Sequence, residues 1–208
     1  KPTIRLLTAV TTATLLSGFG LTSANAETTA AVVIKHYADI AQAKYGDSLT
    51  TAKALDAAID AFLAAPSEDG LKTARTAWVA ARVPYQQTEV YRFGNPIVDD
   101  WEGRVNAWPL DEGLIDYVSD GYGQESDENA LYTANVIANA KIAIDGKDVD
   151  ASALTPEFIS GTLQEAGGIE ANVASGYHAI EFLLWGQDLN GTKAGAGARP
   201  FTDYAKDG

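Results

Sequence analysis

The 208-residue chain holds only two histidines, and one of them, His178, lies three residues before Glu181 in the run Gly176-Tyr177-His178-Ala179-Ile180-Glu181. Three helical steps turn about 300°, which leaves the two side chains about 60° apart and one turn displaced. Both can then reach one ion or one substrate atom. A neutral imidazole and a carboxylate suit iron, zinc or manganese, and they equally suit a general base with its orienting partner. A plainer alternative is an i,i+3 hydrogen bond in which two half-buried polar groups satisfy each other. An unpaired ionised Glu181 on a helix buried on most sides would be costly, so it needs a cation, a donor or a metal. Gly176 costs such a helix about 1 kcal/mol relative to alanine. That cost points to close approach by another backbone or a ligand.

Other segments offer polar groups to this pair. Arg75, Arg82 and Glu89 recur every seven residues, with Trp78, Tyr85 and Arg92 on the same step beside them. Charges interleaved with aromatics on a packed helix suggest a polar strip inside a bundle. For Arg75 and Arg92 a snorkelling surface face is the expectation, and for Arg82 and Glu89 both readings stay open. In Trp108-Pro109-Leu110-Asp111-Glu112 two acids follow a rigid aromatic turn. They either cap the next helix or deliver carboxylates to His178 and Glu181. His36 and Asp39 form a second His-x-x-acid pair, expected on an exposed helix surface.

The elements that must position these groups read as helices. Apolar residues at three- and four-residue intervals predict one helix over 28–45, ended by Gly46, and a second over 48–65, ended by Pro66. Ser67 is the expected N-cap of a third, in which Pro84 should introduce a kink or a break. Short connections make these antiparallel neighbours. The stretch 94–123 is rich in glycine and large aromatics and should pack across the bundle as a long loop, with a short helix near 112–118. Further helices are expected over 127–140 and from Thr155-Pro156, with a brief extended excursion over 142–149 turning at Asp145-Gly146. A last helix should run from Ile169 to Trp185.

Composition narrows the function. Residues 1–26 look like a cleavable export signal: Lys1 and Arg5, an apolar stretch from Leu6 to Phe19 too short to span a bilayer, and the small-x-small site Ala24-Asn25-Ala26. The expected location is the periplasm or cell envelope, with residues 27–208 as one helical domain. Without residues 1–26 the chain carries 13 basic and 28 acidic residues, a net charge of −15. That balance argues against nucleic acid and anionic membrane surfaces. With no cysteine and no methionine, any metal must be held by oxygen and imidazole.

The stretch Gly176 to Asp188, GYHAIEFLLWGQD, resembles the GxHxxE signature of the imelysin family. Trp78 to Arg82, Glu89-Val90-Tyr91-Arg92-Phe93-Gly94, Trp108 to Glu112 and Ile115-Asp116-Tyr117 agree with it. The resemblance implies an exported all-α protein built from two related helical-bundle halves, of which this chain covers the first and awaits the C-terminal half. It also implies a site around His178 and Glu181. Beside that pair, Glu89 and Asp111 are the further metal ligands we expect from the residues themselves, with Arg82, Trp78, Gly176 and Glu112 lining the site. Iron is the expected ion, with zinc or another divalent ion as alternatives, and an iron-uptake or envelope protein is the expected partner. The family also includes proteins described as proteases. A zinc peptidase helix normally carries HExxH or HxxEH, whereas Phe182 follows Glu181 here. Metal binding, peptidase activity and a metal-free envelope interaction module are therefore the three readings, in that order.

Overall fold

A computed structural model describes residues 28–123 and 126–206. It is mostly helical, in agreement with the expected fold class. The export signal expected at 1–26 lies outside the described residues.

A single helix, α1 (Ala30–Ala64), replaces the two helices expected on either side of Gly46. Glycine alone lowers helix stability by only about 1 kcal/mol, and no proline stands near it. The hydroxyls of Thr50 and Thr51 donate to the carbonyls of Gly46 and Asp47, so the local side chains follow the helical path. Pro66 does end the run. Ser67 then caps α2 (Glu68–Gln86), accepting a hydrogen bond from the Gly70 amide at 3.1 Å. α1 and α2 form the antiparallel pair that the short connection requires. Pro84 sits inside α2, which stops two residues later.

The aromatic stretch crosses this pair, but it is more ordered than a loop. Glu89–Tyr91 makes one 3₁₀ turn, and Pro96 opens α3 (Pro96–Val105), proline being well placed in a first turn. Trp101 of α3 meets Tyr45 of α1 and Tyr85 of α2 with ring centroids 6.5 and 6.2 Å apart. α4 (Glu112–Ile115) follows.

No helix forms over 127–140; turns occupy that stretch instead. Asparagine side chains there compete for the backbone. Asn129 Oδ1 accepts from the Leu131 amide, Asn135 Oδ1 from the Ala138 amide, and Asn139 donates to the Ala134 carbonyl. The amides of Asn135, Val136 and Ile137 bond outward to the carbonyls of Gly113, Leu114 and Ile115. The extended excursion is a hairpin, β1 (Lys141–Ile144) and β2 (Lys147–Asp150), turning at Asp145 and Gly146 with φ of 51° and 71°. Positive φ at both turn residues matches the Asp-Gly hairpin signal. Thr155 caps α5 (Pro156–Phe158), which runs into a π-turn over Ile159–Leu163.

The last long element, α6 (Tyr177–Trp185), is half the length expected; residues 169–176 are not helical. Its buried residues point in two directions. Tyr177 and Leu184 pack with Leu55, Phe62, Leu71, Ala74, Ala81 and Tyr85 of α1 and α2, while Ala179 and Phe182 pack with Ile115 of α4. α6 is thus wedged between the helical pair and the crossing segment. A separate apolar cluster, including Leu131, Val136, Ile142 and Leu163, holds the hairpin against α4.

Candidate functional site

Gly176 sits at the N-cap of α6 rather than inside a helix, with φ 90° and ψ −173°. A Cβ there would lie 2.5 Å from the Val105 carbonyl oxygen at the end of α3. The expected benefit of glycine, close approach by another backbone, is what the geometry provides. The start of α6 is pinned by Trp78, whose indole N–H donates to the Tyr177 carbonyl at 2.9 Å. Arg75 reaches across from α2 to donate to the carbonyls of Leu184 and Arg199. It therefore serves the carbonyl end of α6, where a cation is favourable, and is not the surface residue expected.

His178 and Glu181 project from α6 into a pocket of 760 Å³. Nδ1 of His178 lies 3.1 Å from Oε2 of Glu181. A carboxylate only accepts, so Nδ1 is the donor; in the neutral imidazole Nε2 then keeps its lone pair. The imidazole ring packs against Trp108 with centroids 5.0 Å apart. The pair is thus a hydrogen-bonded couple with one nitrogen left over for other chemistry.

The two acids after the Trp108-Pro109 turn separate. Glu112, in the first turn of α4, lines the pocket together with Trp78, Trp108, Leu110 and Trp185. Asp111 does not line it; its carboxylate accepts from the Asn129 amide at 2.6 Å, and Asn129 also donates to buried Asn172. Asp111 makes no side-chain cap either. Glu89 is exposed on its 3₁₀ turn, beyond the end of α2, so the seven-residue spacing does not carry it onto the face of Arg82. Arg82 lies among the rings of Trp78, Tyr85 and Tyr177 and donates to Asn106, which donates in turn to Glu102. Arg92 pairs with Glu102 and Asp99. These charges form a relay beside the pocket rather than part of its wall. His36 is exposed on α1, as expected.

Asp188 was not anticipated and does line the pocket. It follows the C-cap Gly186, where helical periodicity no longer places a side chain; its one signal was its position at the end of the GYHAIEFLLWGQD stretch. The segment carrying it is held close because Gly197 crosses the end of α6, where a Cβ would lie 2.3 Å from the Trp185 carbonyl oxygen. Gly197 thus serves a backbone-to-backbone approach.

Burial raises the pKa of Glu112 above the usual carboxylate range, and Asp188 adds repulsion that Arg199 partly offsets. A carboxyl raised by folding stabilises the protein below its unfolded pKa, and that contribution is lost as pH rises through the folded value. Glu112→Gln should therefore unfold at higher urea than wild type at pH 7, by roughly 0.5–1 kcal/mol. The gap should close as pH falls towards the unfolded carboxylate range. Equal stability at both pH values would mean the carboxylate is well solvated.

Among the described residues no three histidine, aspartate or glutamate side chains converge closely enough to hold an ion. The donor types fit a hard or borderline metal, whereas the number converging on one point does not complete a set.

The sequence profile of imelysin, peptidase M75, matches residues 41–208. The chain belongs to the imelysin family. One curated relative of this imelysin, iron-regulated protein A of Synechococcus elongatus, is 36% identical over 61 residues. That stretch is 29% of this chain and 17% of the Synechococcus protein. No helix among the described residues of the imelysin is long and apolar enough to cross a membrane.

Proposed function

We propose that this imelysin is an exported metal-binding protein that takes its ion at His178 and serves iron acquisition. The observation supporting this most directly is the couple in which Glu181 engages Nδ1 of His178 and leaves Nε2 free, in a pocket also lined by Glu112 and Asp188. Metal-binding histidines commonly give their other ring N–H to a carboxylate, which sets the tautomer and raises ligand basicity. Iron is favoured over other ions by family membership and by the name of the Synechococcus relative. His178 would hold the ion, Glu181 would orient the imidazole, and Glu112 and Asp188 would supply charge compensation. The remaining ligands would come from rearrangement of these carboxylates or from protein beyond this chain. Bound there, the ion is cargo for an iron-uptake partner in the envelope.

The family's peptidase name supplies the second reading. One imidazole in the pocket is a weak set for a zinc peptidase, because the other histidine, His36, is on the exposed surface of α1.

The test uses full-length protein and iron(II) or a divalent surrogate. An imidazole ligand must be neutral, and an ordinary histidine titrates near pH ~6.5. Affinity should fall between pH 7.5 and pH 5 as protons compete for the ring. His178→Ala should weaken binding at pH 7.5 by about 10–100-fold and flatten the pH response, whereas Glu181→Gln should weaken binding and keep the response. Equal affinity at both pH values, indifferent to His178→Ala, would reduce the couple to a packing interaction. Chelator-sensitive proteolysis lost in His178→Ala would promote the peptidase reading.

A further inference from the structure

The pocket at His178 is much larger than a bare ion needs. Its 760 Å³ compares with about 30 Å³ for a water molecule in the liquid. Three indoles wall it. Trp78 and Trp185 meet edge to face with centroids 5.3 Å apart, and Trp108, 71% exposed, stands against the His178 ring. Glu112, Glu181 and Asp188 line the same space, and no lysine or arginine is among the lining residues. Arg82 and Arg75 approach the rings of Trp78 and Trp185, but they donate to Asn106 and to main-chain carbonyls and do not line the pocket. That leaves Trp108 as an open indole in a pocket lined by carboxylates, with the charge on Glu112 only partly offset by Arg199.

Indole faces attract cations through the ring quadrupole, most strongly when the cation sheds its water. A small metal cation holds its water tightly and gains little from an aromatic wall. An alkylated ammonium ion is weakly hydrated, presents an apolar surface and carries diffuse charge. Carboxylates that fail to converge on one point still favour such a cation, because its diffuse charge needs no tight coordination shell. The wide pocket, the indoles and the scattered acids all suit that ligand class better than they suit a bare ion.

We propose that this pocket binds a small organic ammonium ion, its alkyl surface against Trp108 and its charge balanced by Glu112 and Asp188. This site needs no metal at His178; a metal bound there would compete for the same two carboxylates. The half-buried Glu112 carboxyl, held above its usual range partly by Asp188, is the group such a cation would relieve.

Choline and its neutral isostere 3,3-dimethylbutan-1-ol, titrated calorimetrically into chelator-treated full-length protein, test the proposal. Choline should bind saturably and at least about tenfold more tightly than the alcohol. Trp108→Ala should weaken choline by about tenfold, with Trp108→Phe recovering part of the loss. Glu112→Gln combined with Asp188→Asn should erase the preference for choline while leaving the alcohol unaffected, so a folding defect is distinguishable from lost charge. Equal binding of the two probes, no choline binding at about 10 mM, or indifference to Trp108→Ala would each overturn it. Choline failure with intact His178-dependent metal binding would remove this inference alone. Choline binding without metal binding would remove the metal reading alone.

Discussion

Gly176→Ala should destabilise this imelysin by roughly 3 kcal/mol or more, the sum of two separable penalties. The backbone at φ 90° and ψ −173° lies in a region nearly restricted to glycine, which costs a side chain of order 1–3 kcal/mol. A methyl group would also stand 2.5 Å from the Val105 carbonyl oxygen and 2.9 Å from that of Arg104. Both obstacles are backbone, so no rotamer change relieves them. α6 would have to move away from the end of α3, displacing His178 and Glu181 from the pocket. Gly46→Ala is the matched control. Gly46 lies within α1, with nothing within 4 Å of an added Cβ, so alanine there should stabilise by about 0.5–1 kcal/mol. Urea denaturation of the two variants should shift in opposite directions. A Gly176→Ala protein as stable as wild type would show that α6 is not held against α3 in solution.

Asp116→Ala should cost about 3–5 kcal/mol, the usual penalty for breaking a buried ion pair by removing one partner. Arg199 has 2% of its side chain exposed and Asp116 has 11%, and Nη1 of Arg199 donates to the Asp116 carboxylate. The guanidinium is also held between the rings of Tyr117 and Phe182, 4.8 and 5.3 Å from their centroids. Without Asp116 its remaining carboxylate is Asp203, at 3.5 Å. Melting should fall by about 6–20 °C for a chain of this size. The double change Asp116→Leu with Arg199→Met should recover most of the loss, since well-packed apolar residues often replace a buried pair without penalty. Failure of that rescue would indicate that the pair also positions the segment 186–199, which carries Asp188 on the pocket wall. A loss below about 1 kcal/mol in Asp116→Ala would show the pair to be solvated.

Several features were legible because they depend on neighbours in sequence. The Ser67 cap, the turn at Asp145-Gly146 and the helix start at Thr155-Pro156 each follow from the chemistry of two to four adjacent residues, and each is present. The His178–Glu181 couple is equally local, since both residues lie on one helix at i,i+3. Where local signals were weak or in conflict, the expectation failed. Gly46 carried too small a penalty to end a helix that packs along α2. Asparagines over 127–140 drew the backbone into turns that α4 then paired. Residues 169–176 had apolar spacing suited to a helix, but Gln164 Oε1 accepts from the amides of Ala174 and Ser175, and Asn172 is buried against the Ala166 carbonyl.

The sequence by itself determined the helical class, the family signature, and the residues from which the site could be drawn. The tertiary structure alone decided which acids of the described chain reach it. Asp111 and Glu112 are adjacent, yet one bonds to Asn129 and the other lines the pocket, because α4 begins between them and turns their side chains apart. Glu89 shares a seven-residue step with Arg82 but lies beyond the end of α2, and Asp188 enters from a segment past the end of α6. Spacing along the chain specifies neighbours on one element. Which elements face each other follows from how their apolar faces bury together, and that is a property of the packed core.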